Sequence, residues 1–341
     1  MALCTTSRFH VPEYGTNLVT WTTHQWGQAL TSGRDTSHHS PVEQRAAQRN
    51  ELSGADLSAP LFVPADRPDR VAKAAKRGAR VIVIDLEDAI APDHKAAART
   101  NAAQVLASHP FDGAYIVRVN SVQEPETLEA DLAALRPVLN SIAGLVLPKI
   151  TSVEQVHAVE ALLPPRCDHL ALIPTVETAR GVRESWRIAT ASPLVHTLLF
   201  GPVDLSAELG IDITPDGTEL LTARSTVVLA CADAGLARPL DGPWPNLDDE
   251  PGLEASTWHA RRLGFGGKIA IHPKQLTLLT AGFHPSATEI AWATEVTDVY
   301  TSSIRDGVGA ARLADGTFID APVAARAHRI LELAQRTGSD T

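Results

Sequence analysis

Seven short apolar runs in this chain each end in, or lead directly into, residues that can do chemistry. Asp85-Leu86-Glu87-Asp88 follows Val81–Ile84, and Arg118-Val119-Asn120 follows Ala114–Val117. Pro148-Lys149 follows Gly144–Leu147, and Glu177 lies just beyond Leu170–Ile173. Gly201-Pro202-Val203-Asp204 follows Thr197–Phe200, Asp241 follows Leu236–Leu240, and His272-Pro273 follows Ile269–Ile271. Acids dominate this set. Crowded carboxylates repel unless a cation or an arginine neutralises them. Glu177 and Asp204 suit Mg²⁺, which takes one or two carboxylates and completes its octahedron with water and substrate oxygens. Arg118 suits a carboxylate ligand, held by two parallel hydrogen bonds. Asp85, Glu87 and Asp88 are then groups that orient Arg118, hold metal waters or assist as a base. Lys149 has two readings: a Schiff-base nucleophile toward a keto acid, as in metal-free aldolases, or a cation neutralising the acids. The acids beside it favour the second. Plain salt bridges along a rim are the bland alternative for the whole set.

These residues need elements that bring them to one place. With Leu61–Val63, which leads into Pro64 and Arg67, the runs number eight, spaced roughly 30 residues apart. Runs such as VIVI and LALI are continuous rather than alternating, as in parallel strands buried on both faces. Helix-like stretches separate most of them: PDRVAKAAKRG, TLEADLAALRPVL, SVEQVHAVEALL, GVRESWRIATA, TELLTARSTVVLACADAG and GLEASTWHARRLG. Gly78, Gly235 and Gly264 stand where helix C-caps fall. The pattern predicts a (β/α)₈ TIM barrel over residues 57–285, whose C-terminal strand ends carry the chemistry. A doubly wound open sheet is the rival, better suited to fewer strands. Residues 286–341 read as a helical arm or lid: an amphipathic helix, a glycine-rich turn and a last helix with Pro322 near its start. Residues 1–56 show no sustained period and read as an irregular extension or docking arm, with Trp21 and Trp26 available to pack. His10, His24, His38 and His39 there lack metal-ligand spacing.

Composition narrows the function classes. The 341 residues are 44% hydrophobic and 21% charged, ordinary for a globular protein. The net charge of −10 disfavours a nucleic-acid binder. No apolar run approaches the ~20 residues that cross a bilayer. Three widely spaced cysteines, Cys4, Cys167 and Cys231, give neither a disulfide framework nor a zinc motif, so a reducing cytoplasm is the expected compartment. The N-terminus lacks a basic segment followed by an apolar one, so no secretory signal is expected.

The segments LFVPADRPDRVAKA, VIVIDLEDAIAPDHKAAAR, VRVN, LPK, ETARGV, FGPVDLSAELG and LGFGGKIAIHPKQL occur in this order. The ordered set, covering residues 57 to about 335, resembles the HpcH/HpaI aldolase and citrate lyase β-subunit superfamily. Within it the chain is similar to the CitE-like branch, with its malyl-CoA and citramalyl-CoA lyases. The resemblance implies a TIM barrel, a Mg²⁺ ion (Mn²⁺ as the alternative) and reversible cleavage of a carbon–carbon bond in a 3-hydroxyacyl-CoA thioester. It implies Glu177 and Asp204 as metal ligands and Arg118 as the group binding the oxo acid's carboxylate. Phe62, Arg67 and Lys73 match positions that contact the CoA substrate, and Ile271 and His272 match a segment against the thioester. Asp320, in FIDAP, matches an aspartate that closes over a neighbouring subunit's site. Two departures stand out: Ser58, near where family members often carry an Arg, and Arg80, where many have Asp.

The expected products are glyoxylate or pyruvate, or another 2-oxo acid, and an acyl-CoA. The metal would stabilise charge on the acid's oxygens, and Asp320 would transfer the proton at carbon. An aldolase on free 2-oxo acids, a thioester hydrolase and a malate-synthase-like enzyme are the related alternatives. A non-catalytic binding protein is disfavoured by the intact Glu177, Asp204 and Arg118. The apolar face of the last helix, on an arm too short for its own core, points to a homo-oligomer, a trimer or hexamer by the resemblance.

Overall fold

The computed structural model describes Leu52 and residues 56–108, 111–165 and 167–338. The predicted extension over residues 1–56 lies outside these, apart from Leu52 and Asp56. The strands are β1 (Leu61–Pro64), β2 (Val81–Asp85), β3 (Ala114–Arg118), β4 (Gly144–Leu147), β5 (Ala171–Val176), β6 (Leu199–Phe200), β7 (Leu240–Asp241) and β8 (Gly267–Lys268). They form one parallel sheet in sequence order. The sheet curls until its ends meet. Leu61 bridges Ala270 in parallel, and the Phe62 amide donates to the Ala270 carbonyl at 2.9 Å. Helices α1 (Pro68–Lys76), α2 (Lys95–Ser108), α3 (Pro125–Leu135), α4 (Val153–Leu162), α5 (Ala179–Ala189), α6 (Pro202–Leu209), α7 (Leu221–Asp233), α8 (Glu250–Leu263) and α9 (Leu276–Phe283) follow the strands, giving a TIM-barrel-like α/β architecture. No helix among the described residues is long and apolar enough to cross a membrane.

Strand alternation sorts the core into two sets. Val81, Val83, Ile116, Val146, Ile173, Leu199, Leu240 and Ile269 pack together inside the sheet. Ile82, Ile84, Tyr115, Val117, Leu145, Leu147 and Phe200 pack outward with the buried helix residues. Asp85 lies two residues beyond Val83, and Arg118 two beyond Ile116, so both face inward at the strand ends. Leu52, 1% exposed, packs with the inner set at the opposite end, against β4.

Several boundaries differ from the sequence reading. β7 is Leu240–Asp241 rather than Leu236–Leu240, because Pro239 has no N–H to give the ladder. β8 is Gly267–Lys268 rather than Ile269–Ile271, which leaves Ala270 only a bridge to β1. α3 stops at Leu135, and Pro137 continues the chain as a 3₁₀ turn over Arg136–Ser141. The glycine-rich segment holds a hairpin, β9 (Ala311–Arg312) with β10 (Phe318–Ile319).

The C-terminal region also departs from expectation. α10 (Ala287–Arg305) and α11 (Ala321–Gly338) enclose a small core of Ala293, Val296, Leu313, Ile319 and Ala327. Ala327 of α11 is buried in this core and Val323, Ile330 and Leu331 pack against it partly buried, so the arm does build a core of its own. The Ser286–Glu289 capping box starts α10, and Arg261 on α8 pairs with Glu289 at 2.8 Å.

Just before β1, Asp56 meets His284 at the end of α9 at 3.1 Å and accepts from the Ser58 amide at 3.0 Å. Burial opposes the Asp56 charge, but these bonds bring its pKa down to about 2. A depressed carboxylate stabilises the fold above its unfolded pKa of about 3.9, and that stability is lost as pH falls through about 2. Asp56→Asn is expected to cost about 1–2 kcal/mol at neutral pH and to flatten the acid limb between about pH 4 and 2. Urea midpoints across that range check it, and an unchanged slope would refute it.

Candidate active site

The parallel register sets Asp85 directly opposite Arg118. Arg118 Nε donates to Asp85 Oδ1 at 2.7 Å and Nη2 donates to Oδ2 at 2.6 Å. Its Nη1 lies 2.8 Å from Glu87 Oε2 and 4.0 Å from Asp88 Oδ2. The Phe62 ring backs the guanidinium at 5.2 Å. Burial works against the arginine's charge, yet the hydrogen bond and charge of Asp85, with Glu87 and Asp88, raise its pKa above the ordinary value. Two of its five N–H groups thus donate to Asp85, and Glu87 stands at ion-pair distance from Nη1.

Lys149 connects this group to the next strand pair. Its Nζ donates to Glu87 Oε1 at 2.7 Å and to Asp88 Oδ1 at 3.4 Å. Its backbone N–H donates to Glu177 Oε1 at 2.6 Å. Burial opposes the ammonium, but Glu87 by hydrogen bond and charge, then Asp88 and Glu177, push its pKa up. A protonated, paired amine is a poor Schiff-base nucleophile, so the neutralising reading is the one the geometry favours. Burial pushes the Glu87 carboxyl up despite Arg118 and Lys149.

Beneath the rim lies a layer of which sequence reasoning singled out only Asn120. Lys95 Nζ donates to the Leu86 carbonyl at 2.8 Å, the Glu87 carbonyl at 2.7 Å and Asn120 Oδ1 at 2.6 Å. Asn120 Nδ2 donates to Asp131 Oδ2 at 2.6 Å, and Arg99 Nε to Asp131 Oδ1 at 2.7 Å. The signal was present: Asp131 shares the buried face of α3 with Leu128, Leu132 and Leu135, where an acid needs partners.

Glu177 and Asp204 complete the centre. Glu177 ends the inward row of β5 after Ile173 and Thr175, before the Thr178 N-cap of α5, while Asp204 sits in the first turn of α6. That turn favours a negative charge. Gly201 permits the pairing: a Cβ there would lie 2.4 Å from Glu177 Cβ and 2.6 Å from Oε2. Asp204 is the nearest like charge to Glu177. Burial first, and then the Asp204 charge, pushes Glu177 up to about 8. A buried carboxyl with a second one beside it forms a hard, all-oxygen donor set that a small divalent cation fits. No cluster of three or more His, Cys, Asp or Glu suited to a metal occurs among the described residues. Such a pair therefore suits an ion that keeps several waters, as Mg²⁺ does.

The structure thus gathers Phe62, Asp85, Glu87, Asp88, Arg118, Lys149, Glu177 and Asp204. Other predicted site residues stand apart. Arg67 and Lys73 pair at the surface with Asp69, at 3.3 and 3.0 Å. Ile271 and His272 lie beyond β8, where the buried Gln275 accepts from both their amides and donates to the Trp244 carbonyl at 2.9 Å. Asp320 Oδ1 caps α11 through the Val323 amide at 3.2 Å and has no hydrogen bond or ion pair to the gathered residues within one chain. Asp241, read as a rim acid, points outward into a buried triad with Arg224 and Lys268.

The family model described as HpcH/HpaI aldolase/citrate lyase matches residues 59–273, which include every gathered residue. A citrate lyase subunit beta-like protein of Deinococcus radiodurans is 35% identical over 280 residues, covering 81% of this chain and 96% of that one. An L-malyl-CoA/beta-methylmalyl-CoA lyase of Rhodobacter capsulatus is 32% identical, covering 73% and 86%. The crystal structure of CitE from Mycobacterium tuberculosis with magnesium, acetoacetate and coenzyme A superposes with a TM-score of 0.66 at 32% identity, covering 82% of this chain and 97% of that one. With the matched segment spanning the barrel and its whole acidic centre, this chain belongs to the HpcH/HpaI aldolase/citrate lyase family and is a carbon–carbon lyase.

Proposed function

We propose that the protein cleaves, and in reverse forms, the bond between C2 and C3 of a malyl-, citramalyl- or citryl-type CoA thioester, yielding a 2-oxo acid and an acyl-CoA. The observation that carries this is the Glu177–Asp204 carboxylate pair joined through Lys149 and Glu87 to an arginine that Asp85 holds by its Nε and Nη2. Glu177 and Asp204 would hold Mg²⁺, or Mn²⁺, which when bound supplies Lewis-acid stabilisation of negative charge on the 2-oxo acid's oxygens. Arg118 binds the acid's carboxylate on its outer edge, and Asp85 fixes the plane of that edge. Glu87, whose pKa burial raises, takes the hydroxyl proton as the C2–C3 bond breaks and becomes neutral, while Lys149 holds its Oε1 in place. The bond's electrons pass to the acyl-CoA carbon as an enolate, which then takes a proton. Arg67 and Lys73 would receive the CoA phosphates, and Ile271 and His272 would lie along the thioester. Support for the thioester comes from the CoA-dependent relatives, and support for the metal from the magnesium-bound CitE structure.

We place Asp320 as the acid that protonates the enolate carbon in a neighbouring copy, within a trimer or hexamer. Its position before α11, apart from its own chain's centre, supports this. Residues 1–56, 57–285 and 286–341 would then serve as extension, catalytic barrel and arm.

Glu177→Ala and Asp204→Ala are each expected to abolish Mg²⁺ binding and cleavage of malyl-type CoA thioesters while preserving the circular dichroism spectrum. Full activity in EDTA would overturn the metal chemistry. Cleavage of the free acid at the same rate as the thioester would replace the reading with that of a free-acid aldolase. Arg118→Lys keeps the charge but loses the fork, so kcat/KM should fall on the order of 10²-fold. It should also cost about 1–3 kcal/mol of stability by leaving Asp85 imperfectly paired. Asp320→Asn and Arg118→Ala chains, inactive alone, should regain activity when mixed and exchanged. An active monomer by light scattering would refute the shared site.

A further inference from the structure

Lys149 is the one non-glycine residue with positive φ among the described residues, at φ 56°. That region is disfavoured for any residue with a Cβ, and glycine is the usual occupant. A lysine there implies that both the backbone conformation and the side chain are used. The residue makes contacts in two directions. Its amide donates to Glu177 Oε1 at 2.6 Å, and its ammonium to Glu87 Oε1 at 2.7 Å and Asp88 Oδ1 at 3.4 Å. With the amide plane fixed on Glu177, rotation about N–Cα alone decides where the side chain leaves. At the ordinary negative φ, the Cβ and following chain would be turned by roughly 120°. The ammonium would then leave Glu87. The next residue fixes the outgoing chain, since the Ile150 amide donates to the Thr175 carbonyl on β5 at 3.3 Å.

We infer that the left-handed backbone of Lys149 is a positioning device, which lets one residue hold Glu177 by its amide and Glu87 by its ammonium. It fixes the carboxylate pair and the Arg118 cluster in one register. Lys149 acts here through Glu177 and Glu87, as a positioning residue. The inference rests on the reading of Glu177 and Asp204 as the cation site.

The test compares Lys149→Gly with Lys149→Val. Both lack the ammonium. Glycine adopts the left-handed region freely, whereas a β-branched residue resists it. Mn²⁺ dissociation constants, from the EPR signal of the free ion, are measured on the full chain well below its unfolding temperature, with no substrate present. The glycine variant should bind Mn²⁺ within about threefold of the unsubstituted protein. The valine variant should bind at least about tenfold more weakly. If valine prevents folding, Lys149→Ala against Lys149→Gly gives the same comparison in the same direction. Equal affinities in the folded glycine and valine (or alanine) variants would overturn the inference, because a conformation that serves stability alone leaves the affinity of the folded protein unmoved. Glu177→Gln is the control. If it binds Mn²⁺ as tightly as the unsubstituted protein, the cation-site reading falls and this inference with it. If it binds weakly while glycine equals valine, only the role of the Lys149 backbone falls.

Discussion

Glu177 is a buried carboxyl group with the Asp204 carboxylate beside it, and the surrounding architecture answers that repulsion. Desolvation and like charge both disfavour ionisation of Glu177. The Lys149 amide offers one oxygen of Glu177 a partner, and the Asp204 carboxylate lies in the first turn of α6. Gly201 lets the two approach without a side chain between them. Around the pair, positive charge arrives already matched: Arg118 is committed to Asp85 and Glu87, and Lys149 to Glu87 and Asp88. The cationic groups nearest the pair are thus largely engaged, which leaves its charge for a divalent cation to balance.

The rigidity of this arrangement comes from a deeper layer. Lys95 grips the carbonyls of Leu86 and Glu87, so the segment carrying Asp85, Glu87 and Asp88 is fixed through its backbone. Asn120 and Asp131 tie the same lysine to α3, and Arg99 closes the network. Every polar atom of the buried Asp131 carboxylate has a partner, which is what makes a buried charge tolerable. A second ionic cluster, Arg224–Asp241–Lys268, lies between the sheet and helices α7 and α8 near the ends of β7 and β8, with Phe200 and Phe265 against the guanidinium.

Much of this was legible in the sequence, and particular residues explain where legibility stopped. Continuous apolar runs with acids at their ends gave the strands and put Asp85, Arg118, Glu177 and Asp204 at one end of the sheet. Gly78, Gly235 and Gly264 all take the positive φ expected at helix ends. β7 and β8 were displaced because their ladders are only two residues long, too short for a periodic signal to define. That these acids orient Arg118 was one reading of the sequence, but which of them takes the guanidinium fork could not be read, because it depends on the register that sets Asp85 opposite it. The small core of the C-terminal region was not anticipated, because Leu313 and Ile319, on a hairpin hidden in a glycine-rich stretch, supply residues that let α10 and α11 form it.

The closure of the sheet carries a consequence for how the chain folds. Leu61 and Ala270 are bridged across roughly 200 intervening residues, and Asp56 and His284 are joined across a still longer span. Each contact between sequential strands can form locally, but β1 obtains its second neighbour only after nearly the whole barrel has emerged. The entropy of closing so long a loop grows slowly with length, yet it must be met before the ends reward it. β1 is therefore an unpaired edge during synthesis, with Leu61 and Val63 exposed beside it. The growing chain is most vulnerable to intermolecular strand pairing on that side until residues near Ala270 arrive.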